Sequence, residues 1–175
     1  MSMFDVRVET ERLRMRPLAP QDADAHIAFM QDPRVATFLS FTGEPEDRMK
    51  LWRNYASYLG HWSIRGFGFF SVEEKATGRW VGRVGPWQPE GWPSLEIGWG
   101  IIPDAWGRGY APEAAAALRD VVFEHFPDLP RIISLIDPKN ENSQAVARKI
   151  GEKKTDETFD VWDFKLDVWA VERPS

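Results

Sequence analysis

The chain has 175 residues (20.1 kDa), nine tryptophans, no cysteine and a formal net charge of −5, from 22 Lys+Arg against 27 Asp+Glu. Such a length suits one domain, residues 1–175, with a core of its own, and the missing cysteines exclude disulfides, thiolate metal sites and a thiol nucleophile. The acidic balance argues against nucleic-acid partners, and three scattered histidines (His26, His61, His125) argue against a metal site.

Met1–Pro17 carries acids and no apolar run, unlike a secretory signal. No segment approaches the roughly 20 apolar residues of a membrane span. A cytoplasmic protein without membrane partners is expected. Leu13–Leu18 alternates apolar and basic residues, the period of a half-buried strand, with Pro17 near its end. Pro20 opens a short acidic helix to about Asp32, with Ile27 and Met30 inward. A second helix follows Pro45, with Met49, Trp52, Ala56 and Leu59 as its apolar stripe. Phe67–Glu74 and Trp80–Gln88 read as antiparallel strands around a Thr77-Gly78 turn. Leu95–Ile102 is a further strand, in which Gly98 and Gly100 mark a bulge or the close approach of a ligand.

Asp104–Arg108 turns into a helix to about His125, burying Ala115, Leu118, Val122 and Phe126. Arg131–Ile136, between prolines, reads as a buried strand. Asn140 or Asn142 caps a helix to Ile150, which Gly151 ends. Strands at about Lys153–Thr158 and Val161–Val171 complete a mixed α+β pattern of seven strands and four helices.

The block Trp106-Gly107-Arg108-Gly109-Tyr110-Ala111-Pro112-Glu113-Ala114 carries the chemistry. Small residues between a strand end and a helix start expose successive backbone N–H groups, and the helix dipole adds partial positive charge. Pro112 suits the first turn, where no N–H is needed, and Glu113 suits the dipole. This is an anion site, most naturally for a pyrophosphate, or else simply a glycine turn before a helix. The Gly-Lys-Ser/Thr of a Walker loop is absent, and Gly98-Trp99-Gly100-Ile101-Ile102-Pro103 lacks the third glycine of a dinucleotide fingerprint.

With Asn140-Glu141-Asn142-Ser143 and Arg148-Lys149-Ile150-Gly151, this block resembles the Gcn5-related N-acetyltransferase (GNAT) superfamily, nearest to its RimJ/RimL-type branch. Thr10–Pro17 and Leu95–Trp99 are similar to that branch's first and fourth strands, so the resemblance spans roughly residues 8–170. It implies a mixed, mostly antiparallel seven-stranded sheet that splays between its fourth and fifth strands around acetyl-coenzyme A. The pyrophosphate would meet the loop of Trp106, Gly107, Arg108, Gly109, Tyr110 and Ala111. Pantetheine would run beside Ile101 and Ile102 towards Asn140 and Ser143.

The activity so implied is direct acetyl transfer to a primary amine, either a protein N-terminus or a small molecule, in a ternary complex and without a metal. The alternative is a coenzyme-A-binding sensor without turnover. Monomer and homodimer are both open. Glu96 is the candidate base, directly or through a water, and flanking Leu95 and Ile97 would raise its pKa. Backbone N–H groups around Gly100 and Ile101, freed by a bulge, would hold the oxyanion. Ala147 stands where many members place a tyrosine acid; Ser143 is its substitute or a pantetheine contact. Tyr110 packs on the coenzyme or covers the helix start. Arg148 and Lys149 attract the ribose phosphate or face solvent, and Trp87 and Trp92 wall the acceptor site or pack a core.

Overall fold

Period-two alternation sets the first edge of the sheet. In the computed structural model, which describes residues 2–40 and 42–174, Leu13 and Met15 are fully buried while Arg14 between them is exposed. They belong to β2 (Leu13–Pro17), which pairs with a two-residue β1 (Val8–Glu9). Three helices follow: α1 (Ala23–Gln31), α2 (Pro33–Leu39) and α3 (Arg48–Arg65). A meander of β3 (Phe70–Glu74), β4 (Trp80–Trp87) and β5 (Glu96–Ile101) leads to α4 (Tyr110–His125). Next come β6 (Arg131–Ile136), α5 (Glu141–Lys149), β7 (Lys153–Val161) and β8 (Phe164–Glu172).

These strands form one sheet in the order β1-β2-β3-β4-β5-β6-β8-β7. Among the described residues it has eight strands rather than the expected seven, because β1 is too short to show any alternation. All pairs are antiparallel except β5 with β6, which run parallel and pair only at Glu96 and Ile133. β8 engages β6 along its whole length, from Arg131↔Glu172 to Ile136↔Asp167. The sheet therefore opens on the β5 side beyond Glu96, the splay that the family resemblance implies.

A core of Phe70, Val72, Val84, Ile97, Leu118 and Ile132 lies among β3, β4, β5, α4 and β6. Each fully buried side chain such as Leu118 contributes about 1.5–3 kcal/mol. Ile27, Met30, Val35 and Leu51 form a second cluster joining α1, α2 and α3. Among the described residues, no helix is long and apolar enough to cross a membrane.

Three local expectations change. α2 was not expected; Asp32 caps it, its Oδ1 accepting from the N–H of Arg34 at 2.9 Å, and Pro33 suits the first turn. Of the apolar stripe proposed for the next helix, Met49 (64% accessible), Trp52 (58%) and Ala56 are exposed, and only Leu59 packs partly inward. Instead α3 buries Leu51, Tyr55 and Trp62, because Tyr55 packs with Leu18 and Phe69, and the Trp62 indole N–H donates to Phe69 O. Finally, β4 and β5 pair without a break from Gly82↔Ile101 to Trp87↔Glu96, so Gly98 and Gly100 mark no bulge. They admit protein rings: a Cβ on Gly100 would lie 2.7 Å from Phe29 Cζ, and one on Gly98 3.0 Å from Phe69 Cε1.

Candidate active site

The splay places a loop and a cleft at its two ends. After β5, a single turn at Pro103–Ala105 leads into Trp106, whose indole N–H donates to Ile101 O at 2.7 Å and so satisfies the last carbonyl of the strand. Gly107 and Gly109 then adopt φ of +76° and +78°, left-handed values that glycine takes without steric cost. Among the described residues, no acceptor takes the backbone N–H groups of residues 107–111; the first bond into α4 runs from Glu113 N to Gly109 O. These free donors stand at the N-terminus of a 16-residue helix, a cradle whose amides are arranged as an anion would need them.

The cradle opens into a groove of about 600 Å³ along the splay. Ile101, Trp106, Gly107, Gly109, Tyr110 and Ala111 line it, with Asn140 and Ser143 facing them from α5. Arg34 and Lys149 bring positive charge to its wall. Ile102 and Arg108 stand apart from the other expected contacts. The Ile102 N–H donates to Val81 O at 2.9 Å, and its side chain packs with the Met30 cluster. Arg108 turns outward to Glu74, 3.1 Å away. Arg148 lies 5.6 Å over the ring of Trp169.

A residue the sequence reading overlooked holds the loop in shape. Arg12 donates to Arg108 O and to Glu113 Oε2, both at 2.7 Å, and stacks 4.8 Å over the Tyr110 ring. It lies within the Thr10–Pro17 segment that carried part of the resemblance, yet nothing local shows which loop it would reach.

The second cavity is a cleft of about 380 Å³ walled by Tyr58, Phe69, Trp87 and Trp92, with Arg83 and Glu96 among its lining residues. It joins the groove at Trp99, Asn140 and Ser143, which line both. Asn140 caps α5, its Oδ1 accepting from the Ser143 N–H at 3.1 Å. Trp87 stacks on His61 and Phe69 and still faces the cleft. Trp80 instead packs among His26 and Phe29.

Glu96 is 9% exposed. Burial pushes its pKa up to about 7, outweighing the opposing pull of the Trp92 indole N–H at 2.6 Å, the Leu135 N–H at 3.3 Å and the Arg83 charge. A carboxyl so poised is partly ionised near neutrality, as a general base requires. The backbone amides open to the splay differ by one residue from those expected, Trp99 standing in for Gly100. Because Ile102 N–H bonds to β4, strand alternation turns the Gly100 amide to β4 and those of Trp99 and Ile101 into the splay. They are freed by the departure of β6, not by a bulge.

A second buried carboxyl, Glu152, carried no expectation. Its Oε1 lies 2.8 Å from Ser134 Oγ, which is also 2.7 Å from Ile97 O. The hydroxyl has a single proton for these two acceptors, so both contacts are satisfied in full only when Glu152 is protonated. Burial, with the nearby charge of Glu96 adding to it, pushes the Glu152 pKa to about 8. Ala147 is fully buried against Ile136 and Trp169 and lines neither cavity.

A sheet parted at its one parallel pair, with an amide cradle and a cleft meeting in the gap, is the architecture of a coenzyme-A-dependent acetyltransferase. The sequence model of the acetyltransferase (GNAT) domain matches residues 12–153, and the chain belongs to that family. YkkB of Bacillus subtilis (strain 168), itself uncharacterized, is 32% identical over 169 residues, covering 93% of this chain and 94% of its own. An acetyltransferase from Agrobacterium tumefaciens str. C58 superposes with a TM-score of 0.83 at 34% identity, over 96% of this chain and 95% of its own. Mycobacterium smegmatis RimJ, solved in complex with CoA-disulfide, shares the fold at a TM-score of 0.71 and 22% identity, over 91% and 81% of the two chains.

Proposed function

We propose that the protein transfers an acetyl group from acetyl-coenzyme A to a primary amine by direct attack in a ternary complex. The observation that carries this reading is the continuity of two cavities: the groove with free amides at residues 107–111 opens at Trp99 and Ser143 into the cleft of Glu96. The pyrophosphate sits on the amide cradle, and pantetheine takes the pairing that β6 leaves vacant on β5. Glu96 removes the ammonium proton, directly or through a water. The amine nitrogen then bonds to the thioester carbon, and the Trp99 and Ile101 N–H groups hold the oxyanion. The C–S bond breaks, the acetyl group stays on nitrogen, the nitrogen gives up its second proton as the amide forms, and that proton passes by way of the Ser143 hydroxyl to the departing thiolate.

Calorimetric titration with acetyl-coenzyme A, followed by thiol release with an amine panel, tests this reading. Gly109→Asp, which sets a negative charge at the cradle, is expected to weaken coenzyme binding more than about 100-fold. An unchanged dissociation constant in a folded variant contradicts the site. A second reading, a coenzyme-binding sensor, draws on Ala147 in the usual tyrosine position; tight binding without turnover across the panel would favour it.

A further inference from the structure

Arg83 sits in the middle of β4, paired across to Gly100 on β5, and lines the cleft with Glu96. It is 5% exposed, and its Nε finds no hydrogen-bond partner among the described residues. Arg16, another arginine set into this sheet, shows the usual solution, pairing with Asp22 at 2.8 Å and with Glu73 at 2.7 Å. No carboxylate so pairs with Arg83 among the described residues. Glu96 is not its partner, because Trp92 and Leu135 hold that carboxyl by its two oxygens.

Aromatic rings keep this buried cation in place. The guanidinium lies 3.9 Å over the centre of Phe69 and 5.1 Å from that of Tyr58. Stacking satisfies the flat face of a guanidinium and leaves its N–H edge for a planar anion. Glu96 feels the Arg83 charge but makes no direct pair with it; a buried charge left unpaired is costly, so a cleft that retains one suits a ligand that brings the opposite charge. A carboxylate fits, since two parallel N–H donors match its two oxygens. The phosphates of the coenzyme do not compete for this position, because their cradle lies at the far end of the groove, where Arg83 makes no part of the lining.

We infer that Arg83 receives the carboxylate of the acceptor, so that the substrate is a small amino carboxylate, its amine towards Glu96 and Trp99 and its carboxylate on Arg83. The inference rests on the acetyltransferase reading and narrows it to amino acids and their close relatives. At about 380 Å³ the cleft is of small-molecule size, and its ring walls suit an apolar or aromatic side chain.

Matched pairs that differ only in the carboxylate test it: phenylalanine against phenethylamine, and leucine against 3-methylbutylamine, each with acetyl-coenzyme A and thiol release as readout. The wild-type kcat/KM for the amino acid is expected to exceed that for its decarboxylated partner roughly 10–100-fold. Arg83→Met should bring the ratio close to one and Arg83→Lys should retain part of it, with coenzyme affinity unchanged in both. A wild-type ratio of one or below overturns the inference, as does an unaltered ratio in Arg83→Met. It is equally overturned if coenzyme binds and no member of either pair is acetylated. Failure of acetyl-coenzyme A to bind the wild type contradicts the acetyltransferase reading itself and this inference with it.

Discussion

Trp99 Nε1 stands 3.3 Å from Ser143 Oγ, joining β5 to the first turn of α5 where groove and cleft meet. The indole can only donate, so the serine accepts and keeps its own proton for another partner. A coenzyme thiolate released at this junction would find that proton, but a thiolate also leaves unaided. Ser143→Ala is therefore expected to lower kcat less than about tenfold in thiol-release assays. A loss of 10²-fold or more would make the serine an obligatory acid.

The loop depends on a residue outside the groove. Arg12 ties Arg108 O and Glu113 together beneath the cradle, without lining the groove itself. Arg12→Met should raise the dissociation constant for acetyl-coenzyme A by up to about tenfold while kcat at saturating coenzyme stays close to wild type. Unaltered affinity in calorimetry would show that the amides of residues 107–111 hold their arrangement without it.

Glu152 gives a stability test with a defined sign. Its pKa of about 8 in the fold lies above the ordinary carboxyl value of 4.5. The folded state thus binds the extra proton, and this contribution is complete below about pH 4.5 and lost as pH rises through about 8. Glu152→Gln removes the charging cost and should raise the melting temperature at pH 9 by roughly 2–4 °C, with little change at pH 5. Equal shifts at the two pH values would show that Glu152 does not titrate in this range.

The cradle was legible in the sequence because its chemistry is local: two glycines and an alanine between a strand end and a helix start define it wherever the chain goes. Glu96 was legible for a related reason, its flanking Leu95 and Ile97 marking a strand about to be buried. Other features depend on contacts between distant segments. α3 carries two apolar stripes, and only packing beside Leu18 and Phe69 selects Tyr55 over Trp52. Arg83 reads as a charged residue in an otherwise apolar strand, and its isolation appears only once Phe69 and Tyr58 close over it. The raised pKa of Glu152 comes from burial beside Ser134 and Glu96, residues of other segments that no local pattern brings together. The bulge assigned to Gly98 and Gly100 failed because rings of Phe29 and Phe69, from elsewhere in the chain, occupy the space that glycine leaves.

The proposed acetyl transfer depends most directly on Glu96 as its base. The measurement that tests it is the pH dependence of kcat/KM for one accepted amine, in wild type and in Glu96→Gln. The titration of the amine is common to both, so the difference between the two profiles belongs to Glu96. Wild type should gain activity as pH rises through about 7, where burial sets this carboxyl. The variant should lose roughly 10²–10⁴-fold, keep its affinity for acetyl-coenzyme A and lack that inflection. A variant with wild-type rates and the same profile would contradict the account.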